Sequence, residues 1–398
     1  MILMNSMNPA SCRFMNANYK YYIILVFSTL LIAANQHPIF LIHGFMGWGR
    51  DELLNHYYWG GEEDLQSILE AEGFVVHTLS VGPISSNWER AIEAYTQIKG
   101  GCVDYGTSHS QQYQIIQKPI NKCYDGIYPD WDEHHPIHII GHSQGGLTAR
   151  MLEYLLELEM IGENSSLLKN KHIGYIKSIT TLSTPHNGTT LSFLINDKYP
   201  VLQKMSAYAG LLNNLLFKNL YNFDLEHWNL RKRKTETYYQ FMQRINNSNI
   251  RTTKNSASWD LSLEGSQYFN DISKSSDSTY YFSYSTTASS EYGNIGQHKP
   301  KSNMNYYLKP ASRLIGSDPS PPNLSWYEND GIVNTISMDG PHDEKIIQYD
   351  GSAIPGIWQH MGKIEYDHHQ ILLRKLDDYG KVDIFNLYLD HCYLLYQL

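Results

Sequence analysis

The sequence predicts an α/β fold in which helices cover both faces of a mostly parallel central sheet. Short apolar runs bounded by glycine alternate with segments of helical periodicity, which is the pattern of such a sheet. Residues 141–145, Gly-His-Ser-Gln-Gly, stand between an apolar run and a helical segment. That order indicates a nucleophile elbow, a tight strand-to-helix turn that holds a serine hydroxyl above the sheet. Ser143 is therefore the candidate nucleophile.

The first half of the chain alternates between strands and helices. Residues 38–45 predict a buried strand that runs into a glycine-rich loop, because a short continuous apolar run is typical of an interior parallel strand. Residues 74–79 predict the next strand. Helices are predicted over residues 65–72 and 87–99, and one face of the second carries Trp88, Ile92, Tyr95 and Ile98.

The second half continues this pattern with two long interruptions. Strands are predicted over residues 137–140, 173–182 and 279–285. Helices are predicted over residues 236–250 and after the elbow, where one face carries Leu147, Met151, Leu155 and Leu158. The polar and aromatic residues 100–136 form a long excursion from the sheet, and the residues rich in Gly, Pro, Asn and Ser at 293–325 predict loops.

Residues 191–223 form an amphipathic insertion with two interpretations. Apolar side chains recur at helical spacing, at Tyr208, Leu211, Leu212, Leu215 and Leu216. Such an insertion in a hydrolase suggests a lid, whose apolar face covers the site in water and spreads on lipid. Periodicity alone favours the other interpretation, an ordinary core-facing helix.

Length and charge limit the class of protein. The chain has 398 residues, and large α/β enzymes of this size often form one domain with insertions, so we expect a single domain over residues 35–398. The formal net charge of -9 argues against a nucleic-acid partner. Nothing in the sequence implies a stable protein partner.

Residues 1–34 have the layout of a secretory signal peptide. Arg13 and Lys20 precede an apolar run over residues 21–32, and the small residues Ala33 and Ala34 follow it. A membrane anchor is the alternative, but the run is shorter than the roughly 20 residues that a spanning helix needs. We therefore expect a secreted protein.

An oxidising compartment bears on the cysteines and on glycosylation. Cys102 and Cys123 are the candidate pair for a disulfide, whereas Cys392 lies in an apolar C-terminal stretch and is expected to be a core thiol. Glycosylation motifs consistent with a secreted glycoprotein occur at Asn164, Asn187, Asn246 and Asn323.

A serine nucleophile needs a base to take its proton and an acid to orient that base. After a nucleophile elbow these partners follow in the order Asp or Glu, then His. Asp330 stands at a sharp turn before an apolar run, and His368 follows near the C-terminus. Spacing alone favours this pair only modestly over Asp339, Asp343, Asp350, His360 and His369.

An oxyanion hole needs two backbone N–H groups aimed at the developing negative charge. One comes from the residue after the nucleophile and the other from an early loop. These positions are Gln144 and Phe45.

Several longer motifs resemble the secreted lipases of thermophilic bacilli and staphylococci. They lie in the order of that family, at residues 43–50, 58–61, 81–88, 103–106, 141–146, 184–188, 326–335 and 366–368. The resemblance implies an α/β-hydrolase fold, the roles assigned above to Ser143, Asp330, His368, Phe45 and Gln144, and a lid over about residues 191–223. It also implies hydrolysis of carboxylic esters, typically triacylglycerols at a lipid–water interface, through an acyl-enzyme and without an organic cofactor.

The metal sites of that family are only partly matched. A structural zinc held by two carboxylates and two histidines would use Glu89, Glu226 and His109, but the fourth position is Ile115. His227, His134 or water remain as substitutes.

The family's calcium positions carry different residues. They fall on Gln370 and Lys375, and an ammonium is hostile to a cation held by oxygen ligands. Asp377 and Asp378 would serve only after a shift in register, so the sequence argues against calcium. A soluble esterase or thioesterase and a lipid-binding pseudoenzyme are the alternative functions.

Overall fold

The computed structural model describes residues 35–53, 56–192, 224–230, 233, 235–248, 253–293 and 295–398. Residues 1–34, the expected signal peptide, lie outside the described residues. So do residues 193–223, which make up nearly all of the expected lid. Both expectations stay predictions.

A seven-stranded sheet forms the centre of the molecule. In chain order the strands are β1 Ile39–Ile42, β2 Val76–Leu79, β3 Gly101–Cys102, β4 Cys123–Tyr124, β5 Ile137–His142, β6 Ile176–Leu182, β7 Tyr280–Thr286, β8 Ser289–Tyr292, β9 Gln297–Pro300, β10 Ile346–Gln348 and β11 Trp358–Ile364. The sheet order is β10-β11-β7-β6-β5-β1-β2, and every neighbouring pair in it is parallel. Strands β3 and β4 form one antiparallel ribbon, and β8 and β9 form another.

Helices flank this sheet. They are α1 Leu65–Ala71, α2 Asn87–Lys99, α3 Thr107–Tyr113, α4 Gln144–Glu157, α5 Ser166–Lys169, α6 Tyr238–Asn246, α7 Ala257–Asp260, α8 Leu263–Ile272, α9 Lys309–Gly316 and α10 Asp378–Leu395. Short 3₁₀ turns occur at Glu226–Trp228, Leu324–Tyr327, Thr335–Met338 and Gln370–Leu372. None of the helices in the described ranges has the length and apolar character needed to cross a bilayer.

Strand β1 shows why the sheet is buried on both faces. Phe40 and Ile42 pack into one apolar cluster with residues of α2 and α4, whereas Ile39 and Leu41 pack into a second cluster with residues of α10. Alternate side chains of a strand point to opposite faces, so a wholly apolar run requires cover on both. The predicted parallel sheet with helices on both faces is confirmed.

Helix α2 begins and ends at the residues predicted from the sequence. Ser86 and Glu89 form a capping box, in which the Ser86 hydroxyl accepts from the Glu89 N–H and the Glu89 carboxylate accepts from the Ser86 N–H. The helix stops before Gly100, whose φ of 96° favours glycine. Local signals of this kind explain the agreement.

The prediction of loops over residues 293–325 was wrong in part. The segment contains β9 and α9. Pro310 stands in the first turn of α9, where the missing N–H costs nothing, and Ile315 is buried on its inner face. The content of glycine and proline alone does not show that Pro310 and Ile315 occupy positions that suit a helix.

Candidate active site

The turn between β5 and α4 matches the expected nucleophile elbow. Ser143 has φ 56° and ψ -127°, a combination that a non-glycine residue adopts only when its surroundings impose it. A Cβ atom on Gly141 would lie 2.4 Å from the Gly146 nitrogen, and one on Gly145 would lie 2.1 Å from the Ile42 oxygen. Both glycines are required because backbone atoms crowd the serine.

Ser143 faces a small cavity of about 40 Å³ at the carboxyl end of the parallel strands. His368 lines the same cavity, as does Phe45 of the loop after β1. Apolar walls come from Pro185, Leu261 and Val333. The structure therefore gathers the candidate nucleophile, base and oxyanion loop around one space.

His368 and Asp330 are in direct contact. Nδ1 of His368 lies 2.7 Å from Oδ2 of Asp330, and the His368 N–H donates to the Asp330 carbonyl at 3.0 Å. The two side chains are only 3% and 0% exposed. Because Nδ1 donates its proton to the carboxylate, Nε2 is left as the proton acceptor.

The Asp330 carboxylate is held by three further donors. Its Oδ1 accepts from the backbone N–H groups of Ile332 at 3.0 Å and Val333 at 2.8 Å. Its Oδ2 accepts from the Thr286 hydroxyl at 2.8 Å. These bonds fix the carboxylate at the turn, so it can hold the imidazole of His368 in one orientation.

The rival carboxylates and histidines have other partners. Asp343 pairs with Lys274, and Asp350 accepts from the Ser352 N–H within a turn. The Tyr307 hydroxyl lies 3.1 Å from Nδ1 of His369.

Asp339 does lie near a histidine, but with the wrong geometry. Its Oδ1 is 3.4 Å from Nε2 of His360, the same nitrogen that contacts the Ser285 hydroxyl at 3.0 Å. An orienting carboxylate and a serine must bind opposite ring nitrogens.

The loop after β1 lies against the nucleophile. A Cβ on Gly44 would be 2.7 Å from Cβ of Ser143. The Met46 N–H donates to the Pro83 carbonyl at 2.8 Å, and the Gly44 N–H donates to the Tyr58 hydroxyl at 2.8 Å. Phe45 therefore stands between two anchored residues.

The other proposed oxyanion donor opens a helix. Gln144 is the first residue of α4, where backbone N–H groups have no acceptor within the helix. The positive end of the helix dipole adds to the attraction for an anion at this point.

Buried Arg90 connects the oxyanion loop to the residue Gly82 and to helix α4. Its Nη1 donates to the Gly82 carbonyl and its Nε to the Thr148 hydroxyl, each at 2.8 Å, while Nη2 donates to the His43 carbonyl. Neither Arg90 nor Thr286 was predicted from the sequence. Such long-range contacts leave no periodic signal in a sequence.

The expected zinc ligands are not assembled. Nε2 of His109 lies 2.9 Å from Oε1 of Glu89, and the Asn255 amide donates to the same oxygen. Glu226 instead lines a polar cavity with Lys122 and Asp224. Within the described ranges, no three His, Cys, Asp or Glu side chains are placed to hold a metal ion.

Two buried groups lie beside Glu89: His227, which the sequence offered as a substitute ligand, and Asp260, which it did not offer. Burial raises the pKa of Asp260 to about 7, and the charge of Glu89 adds to this shift. Burial lowers the pKa of His227 to about 4. Ile115 is an apolar core residue. As placed, these residues do not fit a four-ligand zinc centre, and stoichiometric zinc in protein purified without added metal would contradict this assignment.

The positions matched to calcium ligands contact protein groups. Nε2 of Gln370 donates to the Asn303 carbonyl, and its Oε1 accepts from the Asp367 N–H. The ammonium of Lys375 lies 4.5 Å from the ring centre of Tyr307. This donor set does not fit a calcium ion.

A disulfide joins Cys102 and Cys123, which are directly opposite each other in the β3–β4 ribbon. The neighbouring Lys122 donates to Oε1 of Glu93 at 2.6 Å, and Oε2 of Glu93 accepts from the Gly82 N–H at 2.6 Å. The ribbon is thereby connected to α2 and to the loop that Arg90 also binds.

Known proteins resemble this chain over most of its length. A family model described as "Lipase-like, C-terminal domain" matches residues 35–385. A lipase of Staphylococcus epidermidis is 34% identical over 348 residues, which cover 84% of this chain and 49% of that protein. Lipase 1 of Staphylococcus aureus is also 34% identical, with coverage of 84% and 50%. The chain spans about half the length of these curated relatives.

Three solved structures share this architecture. EstA from Clostridium botulinum has a TM-score of 0.83 and 37% identity, covering 92% of this chain and 88% of that chain. Lipase 1 from Pelosinus fermentans has a TM-score of 0.78 and 35% identity, covering 92% and 99%. The lipase of Staphylococcus hyicus has a TM-score of 0.79 and 30% identity, covering 91% and 96%.

Proposed function

Because the chain belongs to the family of lipase-like C-terminal domains, we propose that it is a lipase that hydrolyses the carboxylic ester bonds of triacylglycerols and other acylglycerols. The observation that carries the proposal is the buried contact between His368 and Asp330 on the cavity that Ser143 faces. Strain at Ser143 and the names of the relatives support the same reaction.

In the first half of the proposed reaction, Nε2 of His368 takes the hydroxyl proton of Ser143 while Oγ attacks the ester carbonyl. Asp330 stabilises the imidazolium that forms. The backbone N–H groups of Phe45 and Gln144 bind the oxyanion of the tetrahedral intermediate. Collapse of the intermediate breaks the bond to the alcohol oxygen, which receives the proton from His368 and leaves.

In the second half, water replaces the alcohol. His368 takes a proton from a water molecule while the water oxygen attacks the acyl group on Ser143. The same N–H groups bind the second oxyanion, and collapse releases the fatty acid and returns the proton to the serine. These steps use only groups of this chain, and no metal or organic cofactor takes part.

We also propose that the enzyme is secreted and acts at a lipid–water interface. The layout of residues 1–34 and the disulfide between Cys102 and Cys123 support an oxidising compartment. The amphipathic pattern of residues 191–223 supports contact with lipid through a lid.

The cavity beside Ser143 presents the same catalytic groups to a soluble ester as to a lipid ester, which gives a second candidate function. An esterase for soluble short-chain esters would use the same triad and would lack the response to an interface.

One experiment tests the proposal and separates the two candidates. Purified protein and its Ser143→Ala variant are assayed on p-nitrophenyl esters of increasing acyl length, and on tributyrin below and above its solubility limit. A lipase is expected to gain activity when tributyrin forms an emulsion, and Ser143→Ala is expected to lose activity on every ester. Activity that stays level across the solubility limit would favour the soluble esterase. Equal activity of the two proteins, or none in either, would overturn the triad.

A further inference from the structure

A chain of hydrogen bonds connects the oxyanion loop to the backbone of the proposed base. The Gly44 N–H donates to the Tyr58 hydroxyl at 2.8 Å, and that hydroxyl lies 2.7 Å from Nδ1 of His142. Nε2 of His142 lies 2.9 Å from the His368 carbonyl. The chain thus begins beside Phe45, passes through the residue before Ser143 and ends on His368.

The chemistry of the groups determines which atom donates in each of these hydrogen bonds. The His368 carbonyl can only accept, so Nε2 of His142 carries the proton. Burial, together with the neighbouring imidazole of His368, holds the pKa of His142 well below its ordinary value. His142 is therefore neutral at pH 7, and its Nδ1 accepts from the Tyr58 hydroxyl. That hydroxyl in turn accepts from the Gly44 N–H. Each hydrogen bond in the series therefore has one donor and one acceptor.

Tyr58 is itself held firmly. Nη2 of Arg374 donates to the Tyr58 carbonyl at 2.7 Å, and the guanidinium lies 4.9 Å from the centre of the Tyr58 ring. Trp48 packs edge-on against the same ring, with 5.5 Å between ring centres. Tyr58 is 6% exposed. A residue clamped by a cation and an aromatic ring can impose its position on the groups that it binds.

Both backbone polar groups of His368 are hydrogen-bonded, and His142 binds one of them. The His368 N–H donates to Asp330, and the His368 carbonyl accepts from His142. The two imidazole rings also lie 4.6 Å apart. The peptide groups on both sides of His368 are therefore fixed, one by Asp330 and the other by the chain from Tyr58.

We propose that Tyr58 and His142 are positioning residues for acyl transfer, which set the oxyanion loop and the base His368 relative to Ser143. This inference rests on the proposed function. A displacement of about 1 Å at a reacting group can cost 100-fold in rate, so a connection between these two parts bears directly on turnover. Removing the Tyr58 hydroxyl would take from the Gly44 N–H and from Nδ1 of His142 the partner that they share in this series of hydrogen bonds.

The test compares Tyr58→Phe with Tyr281→Phe. Tyr281 is also buried, and its hydroxyl donates to Glu153 away from the cavity, so the control removes a buried hydroxyl without touching the proposed chain. With p-nitrophenyl butyrate well below the Tm of each variant, we expect Tyr58→Phe to lower kcat about 10- to 100-fold with KM within about twofold. Tyr281→Phe should leave both constants near those of the unmodified protein.

A double-mutant cycle then tests the connection itself. His142→Leu removes both ring contacts, so adding Tyr58→Phe to it should cost less than about threefold in kcat. His142→Gln keeps an amide donor for the His368 carbonyl and should recover part of the activity lost in His142→Leu.

The outcomes separate this inference from the proposed function. An active unmodified protein whose kcat is unchanged in Tyr58→Phe, or equally reduced in Tyr281→Phe, would overturn the positioning role alone. Full multiplicative losses in the double variant would overturn the connection through His142. An unmodified protein with no ester hydrolysis would overturn the positioning role together with the proposed function.

Discussion

Nδ1 of His368 lies 2.7 Å from Oδ2 of Asp330, although the two residues are 38 positions apart in the chain. His368 follows β11, and Ser143 follows β5. Side chains beyond the carboxyl ends of parallel strands meet at one edge of a sheet, which is where α/β folds place their sites. The contact thus depends on the topology of the whole sheet.

His368→Ala should abolish turnover, whereas His369→Ala should leave it nearly intact. Of these two histidines it is His368 that contacts Asp330, and loss of the base of a triad lowers kcat by about 10⁴-fold or more. Steady-state hydrolysis of p-nitrophenyl butyrate checks both variants. A dead His369→Ala with an active His368→Ala would move the role of the base by one residue.

Asp330→Asn should lower kcat by about 10⁴-fold, because an amide in this place favours the wrong tautomer of His368. Thr286→Val removes one donor to the carboxylate and should cost roughly 10-fold. The measurement is kcat for each variant, with the Tm recorded to exclude unfolding. Comparable losses of kcat in the two variants would contradict the expectation that Asp330 matters far more than Thr286.

Glu153→Gln should stabilise the protein at pH 8 more than at pH 5. Burial raises the pKa of Glu153 to about 8. Between its unfolded pKa near 4.5 and about 8, the folded protein binds more protons than the unfolded chain, so stability falls as pH rises. Glutamine removes that loss and still accepts from Tyr281.

The difference in Tm between Glu153→Gln and the unmodified protein should therefore rise by roughly 2–4 °C from pH 5 to pH 8. Glu159→Gln, an exposed change just past the same helix, is the matched control. A difference in Tm that does not depend on pH would show that Glu153 is not the group responsible.

Reduction of the disulfide should lower the free energy of unfolding by about 3 kcal/mol, because Cys102 and Cys123 close a loop with a sequence separation of 21. Urea unfolding with and without dithiothreitol measures the change. The Cys102→Ser/Cys123→Ser variant should match the reduced protein and should not respond to dithiothreitol. Unchanged stability of the unmodified protein on reduction would remove support for a stabilising bond.

Elements whose sequence signals are local could be predicted from the sequence. The glycines around Ser143 and the capping box at Ser86 act within a few residues, so the elbow and α2 were predicted at the observed positions. The triad was harder, because spacing left five rivals to Asp330 and His368. Three-dimensional contact distinguishes the Asp330–His368 pair from the Asp339–His360 pair, whose geometry is wrong.

The remaining misses are contacts between distant parts of the chain. Asn255 donates to Glu89 across 166 positions, and no spacing rule connects them. The hydrogen bonds from Tyr58 to His142 and from His142 to His368 span 84 and 226 positions. Tyr58, His142 and His368 lie in motifs that the sequence shows, but only the folded sheet shows which side chains meet.

Covalent labelling with diethyl p-nitrophenyl phosphate tests most directly whether Ser143 is the nucleophile activated by His368. Mass spectrometry of the digested protein should find one stoichiometric diethylphosphoryl group on the peptide that contains Ser143. Over the same time, His368→Ala should remain almost unlabelled and Ser143→Ala wholly unlabelled. Labelling on another residue, or equal labelling of Ser143 in the unmodified protein and in His368→Ala, would contradict the proposed triad.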